Sequence, residues 1–212
     1  VVVKRAFEDL KIFLGAITGM ADNALKAVIG LGNPGAEYVR TRHNAGFWFA
    51  DRLAETYRGS FRVESKFAGE LARIRIGSTD VLLLKPSTFM NRSGESAQKL
   101  AQFYKLEPAD VLVAHDELDL PAGTVRLKRG GGHGGHNGLR SLHQHLTADY
   151  LRLRIGIGHP GDRNLVLSYV LGRASGSDQG LIDEALARAQ SAIETLFKSG
   201  WEKAAQQLHT DA

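Results

Sequence analysis

Two histidines and an asparagine sit inside a run of glycines, GGGHGGHNG at 130–138, and further polar clusters punctuate apolar stretches elsewhere. His43 lies in TRHN just ahead of a helical pattern, and Asp116 ends the apolar run of ADVLVAHDELDLP. A carboxylate that accepts one ring N–H of a histidine fixes its tautomer, so the other nitrogen can take a proton from water near neutral pH. Such help is worth about 10²–10⁴ in rate. No GxSxG elbow is present, so water is the expected nucleophile. Asn33 in GNPG, Asn91 in FMNRSG and Asn137 in HNG add amides, which can grip a peptide backbone and donate to a developing oxyanion. Any one of them could simply make a turn; three beside His43 and Asp116 favour a site.

Competing chemistries fit less well. Gly30, Gly32 and Gly35 satisfy GxGxxG after a strand, but Pro34 has no N–H for a phosphate and no helix opens until about Asn44. For metal, His133 and His136 are three apart, while the nearest candidate carboxylates, Asp116 and Glu117, belong to another segment, and HExxH is absent. The chain has no cysteine, which removes disulfides and thiolate chemistry and fits a reducing compartment.

Positioning these residues requires strand ends that converge. KAVIGLG (26–32), ADVLVAHDELDLP, TVRLKRG and RLRIGIGHP read as strands, and ELARIRIG with DVLLLKP as a hairpin. Helical spacing marks 44–59, with Asn44 as a cap, then SGESAQKLAQFYKL, NGLRSLHQHL and a long amphipathic helix over 177–200. The alternation predicts an α/β class fold: a single domain with a twisted, mostly parallel (mixed) β-sheet flanked by helices. Ligands of such sheets bind beyond the carboxyl ends of the strands. Residues 1–19 read as an N-terminal extension ahead of a start at Met20, with 20–212 as the domain. Their Glu8, Asp9 and Lys11 argue against a secretion signal.

The 212 residues carry a net charge of +4, which suits a polyanionic partner if the excess is clustered. No apolar run approaches the ~18 residues of a membrane span. His115, His143, His145 and His209 read as surface or helix residues, Trp48 and Phe49 as buried faces of the first helix, and Lys198 and Lys203 as exposed cations.

Taken together and in order, GLGNPG, TRHNAG, TFMNRSG, VAHDELDLPAG, GGGHGGHNGLRS and RLRIGIGHPG resemble the bacterial-type peptidyl-tRNA hydrolase family over residues 26 to about 208. The resemblance implies cleavage of the ester between a peptide and tRNA, by a cytoplasmic monomer needing neither metal nor other cofactor. It implies His43 as general base and Asp116 as its orienting partner. Asn33 would separate peptidyl-tRNA from tRNA bearing a free amino acid. Tyr38, Phe89, Asn91, His136 and Asn137 would contact tRNA or the peptide end, with Met90 lining the site and Lys128 and Arg154 holding the tRNA's terminal phosphate. The competing reading is an RNA-binding module of the same fold that lacks activity; it would be signalled by loss of His43 or Asp116, and both are present.

Overall fold

The computed structural model describes residues 25–209, so the expected extension at 1–19 and the start at Met20 lie outside the described residues. In chain order the strands are β1 (Ala27–Gly30), β2 (Arg62–Glu64), β3 (Gly69–Ile76), β4 (Thr79–Pro86), β5 (Val111–Glu117), β6 (Val125–Arg129) and β7 (Leu151–Gly156). The helices are α1 (Ala45–Thr56), α2 (Ser93–Tyr104), α3 (Asn137–Leu146), α4 (Val166–Val170), α5 (Gly176–Ser199) and α6 (Trp201–His209). The sequence pattern foretells all of these except β2, α4 and α6. Gly200, where the long helix is expected to stop, is followed directly by α6.

One mixed sheet runs in the order β2-β3-β4-β1-β5-β7-β6. Its four central strands, β4, β1, β5 and β7, are parallel, and antiparallel strands complete both edges. Both faces are covered, which is why the central strands read as unbroken apolar runs. Ala27 and Ile29 join Leu84, Val113, Leu100, Leu139 and Leu142 on the α2 and α3 face. Val28 turns the other way, to Phe49, Leu53, Ile182, Ile193 and Leu208 of α1, α5 and α6. Each such large side chain contributes about 1.5–3 kcal/mol when fully buried. Phe49 is buried as expected, but Trp48 is only partly so, because its Nε1–H reaches out to the Val39 carbonyl at 2.8 Å.

From β1 the chain places α1 on one face and β4 on one side, then α2 on the opposite face and β5 on the other side. This reversal opens a crevice beyond the carboxyl ends of β1 and β5. Among the described residues no helix is long and apolar enough to cross a membrane.

Candidate active site

Asp116, next to last in β5, reaches the crevice with a side chain only 2% exposed. A carboxylate so buried is costly unless donors satisfy it. Two imidazoles do. His43 Nδ1 lies 3.0 Å from each carboxylate oxygen, and His136 Nε2 lies 2.9 Å from Oδ1.

Backbone contacts bring His43 to this position. TRHN forms a 3-10 turn, Arg42–Asn44, that leads into α1. Arg42 staples the turn: its N–H donates to Gly172, its Nη1 donates to the carbonyls of Tyr169 and Arg173 at 3.2 and 2.8 Å, and its guanidinium stacks on the Tyr169 ring. Gly46, in the first turn of α1, lies against the strand ends, where any Cβ would strike the Ala114 carbonyl and the Leu31 backbone. A Cβ on Gly30 would in turn strike Gly46. With both positions bare, the helix start rests directly on β1 and β5.

Asn44 is the expected cap of α1, but its side chain caps nothing. Its amide instead clasps Asn33, accepting the Asn33 N–H at 2.8 Å and donating to the Asn33 carbonyl at 3.0 Å. Asn33 is thereby fixed, and its own Oδ1 accepts the Met90 N–H at 2.8 Å. What its side chain has left to offer is the donor Nδ2. Nearby, Tyr38 and Phe89 meet edge to face at 6.3 Å, Met90 is buried, and Asn91 is exposed on the following 3-10 turn.

The glycine run now has a structural reason. Gly130, Gly131, Gly134 and Gly135 have φ of 57°, 101°, 54° and 82°, a region that side chains disfavour. The run ends at His136, expected as a substrate contact but found with both ring nitrogens engaged within the protein. Its Nδ1 accepts the N–H groups of Gly138 and Leu139 at 3.1 and 3.3 Å, capping α3, so the proton sits on Nε2, facing Asp116. His43 likewise directs Nδ1–H to Asp116, leaving Nε2 as a free base.

Electrostatics follow from these contacts. Burial alone would depress the His43 pKa, but the charge of Asp116 and the hydrogen bond to it prevail, and the value is raised. Burial would raise the Asp116 carboxyl; the two histidines instead hold it well below the usual carboxylate range. His115, expected at the surface, is buried in β5, and its Nδ1 donates to the Asp116 carbonyl at 2.8 Å. Burial, then the neighbouring His136, push its pKa down to about 3, so it is neutral near pH 7.

His43, Asp116, His136, Asn137, Lys128 and Arg154 line one cavity of about 760 Å³. Asn33, Tyr38, Phe89, Met90 and Asn91 form a separate cluster beside it; a Cβ on Gly138 would strike Met90 Sδ and crowd His136, so bare backbone joins the two groups. Asn137 is exposed and accepts from Arg140, Lys128 is exposed, and Arg154 donates to Glu117 at 2.9 Å. Metal-ligand spacing in the sequence pairs His133 with His136, but His133 accepts instead from the Gly135 N–H. His43, Asp116 and His136 have ligand-type atoms within 4.8 Å of one another. In the tautomers above, both nitrogens facing the carboxylate carry protons. The signals for Arg42 and Asn44 lie in TRHN, where they flank His43 directly.

Known proteins share this arrangement of sequence and fold. The sequence model of the family described as Peptidyl-tRNA hydrolase matches residues 27–212. A Neisseria gonorrhoeae protein named Peptidyl-tRNA hydrolase is 55% identical over 189 residues, covering 89% of this chain and 98% of that protein. A protein of the same name from Proteus mirabilis is 50% identical over 188 residues, covering 88% and 97%. The crystal structure of peptidyl-tRNA hydrolase from Acinetobacter baumannii is similar with a TM-score of 0.85 at 47% identity, covering 88% of this chain and 95% of that one.

Proposed function

This chain belongs to the peptidyl-tRNA hydrolase family and is an ester hydrolase that releases peptide from peptidyl-tRNA; from that premise we propose that His43 is its general base and Asp116 the group that orients and charges it. The observation that carries this reading is the His43 Nδ1–H directed at both oxygens of a buried carboxylate. His43 Nε2 takes a proton from water as the oxygen attacks the ester carbonyl. The tetrahedral intermediate then collapses, the bond to the terminal ribose oxygen of tRNA breaks, and the imidazolium returns its proton to that oxygen. In the interval the positive ring faces Asp116, which is the stabilisation that raises its basicity. No step calls for a metal ion.

Asn33 supplies selectivity. With Oδ1 occupied by Met90, it presents only N–H, which a peptide carbonyl can accept and a free ammonium, having donors alone, cannot. Tyr38, Phe89, Met90, Asn91 and Asn137 contact the peptide and the tRNA end, and Lys128 and Arg154 hold its terminal phosphate. Both cations line the same cavity as His43 and Asp116, which supports that assignment. Membership of the family supports a monomer acting in the cytoplasm, and a chain without cysteine fits that reducing compartment.

Incubation with an N-blocked aminoacyl-tRNA and a chelator tests the reading. The wild-type chain is expected to release the acyl group, and His43→Ala to lose about 10²–10⁴ in turnover with tRNA affinity nearly kept. Equal turnover by the variant would reject His43 as the base.

A further inference from the structure

β7 carries two arginines that line the cavity, in different surroundings. Arg154 is half-buried and paired with Glu117. Arg152 is 3% exposed and makes no ion pair among the described residues. Its donors go to the glycine run instead: Nη1 to the Gly132 carbonyl at 2.7 Å, and Nη2 to the Gly131 carbonyl and to His143 Nε2, the latter at 3.0 Å. The guanidinium lies over the Tyr150 ring at 5.1 Å, and Nε is buried without a partner.

Two further facts bear on its role. Lys128 stands directly across the β6–β7 ladder from Arg152, an unfavourable pairing of like charges, and its stem lies along Gly131. The glycine run meanwhile has little else to hold it. A Cβ added at Gly132, Gly134 or Gly135 would meet nothing within 4 Å, and glycine is the residue with most conformational freedom to lose. A planar fork bridging two successive carbonyls is what such a segment lacks of its own.

We propose that Arg152 is a positioning residue for the hydrolysis: by gripping the carbonyls of Gly131 and Gly132 it sets the path of the glycine run, and so seats His136 on Asp116. Through Asp116 it governs the basicity of His43. It is not a further phosphate contact, since its donors are committed inward. The other charged or titratable groups lining this cavity are His115, Glu117, Asp119, Lys128, His133, Arg154, His159 and Arg163, none of which holds the run by its carbonyls. This inference rests on the His43 and Asp116 reading above.

The test uses Arg152→Lys, which keeps the charge but not the fork, and Arg152→Gln, on the N-blocked aminoacyl-tRNA. Both are expected to lose about tenfold or more in kcat, since small misplacements near the chemistry can cost up to about 10²-fold. The acid limb of the pH–kcat profile should move to higher pH, because a carboxylate that loses its His136 donor acts on His43 undivided, and the amides of 131–136 should exchange faster. KM and its salt dependence should stay near wild type. Wild-type kcat, or a loss confined to KM with a shallower salt slope, would overturn the proposal. Gly131→Ala, an exposed change that leaves the buried cation in place, should reproduce the kcat loss and the pH shift; if Gly131→Ala keeps both at wild type, the proposal falls. His43→Ala run alongside separates the cases: if it retains turnover the base assignment fails, and if it alone is inactive only the role of Arg152 fails.

Discussion

The cavity wall that carries Asp116 is nearly dry, with side-chain exposures of 12%, 2% and 10% for His43, Asp116 and His136, whereas Lys128, on an exposed ledge of the same cavity, stands in water. In the dry wall charges act on each other with little screening, so one carboxylate can displace an imidazole pKa. On the wet ledge a cation such as Lys128 is screened by salt, which suits it to the proposed role in approach and register. The proposed chemistry and the proposed recognition thus fall in different dielectric surroundings within a single cavity.

Asp116→Asn attacks the dry wall hardest. It should lower kcat by about 10²–10⁴. Because Asp116 raises the His43 pKa, activity in the wild type falls as pH drops through a value above that of a free imidazole; removing the charge leaves only burial, which lowers it. The acid limb should therefore move to lower pH even as the plateau falls. An unmoved limb would mean that His43 titrates independently of its neighbour.

Asn33→Asp probes the border between the two regions. Replacing the Nδ2 donor with an acceptor should cut discrimination against free aminoacyl-tRNA by about tenfold, the scale of one hydrogen bond made or lost. Competition between blocked and unblocked substrates measures it, and undiminished selectivity would assign the discrimination elsewhere. Lys128→Ala, on the ledge, should have the smallest effect at low salt, raising KM with kcat intact. It should flatten the dependence of log affinity on log salt by about 0.7–0.9, one phosphate's share. A steep slope kept by the variant would free Lys128 from that assignment.

How much of this was legible in the sequence varies with the physics involved. The parallel core, the hairpin of β3 and β4 and the bounds of α3 follow from apolar periodicity, which both-face burial makes loud. That same burial misleads at His115: the alternation that would mark an inward residue is absent from a strand covered on both sides. The pairing of His43 with Asp116 spans 73 residues and was reachable through motif order and the strand-end rule. The partners of His136 were not, because they depend on the course of a glycine run that has almost no side chains to announce it. Asn44 was misread for a related reason: capping is the commoner use of asparagine at a helix start, and only the neighbouring loop reveals that its amide is engaged sideways. Likewise α6 follows a glycine that reads as a full stop.

The bare seam between Gly30 and Gly46 sets a ruler for the enzyme. Because helix and strand touch through main-chain atoms there, neither glycine interposes a side chain in the span that sets His43 against Asp116. Exchanges among Phe49, Leu53 and their neighbours can alter how firmly the molecule holds together while the distance from His43 to Asp116 stays as it is.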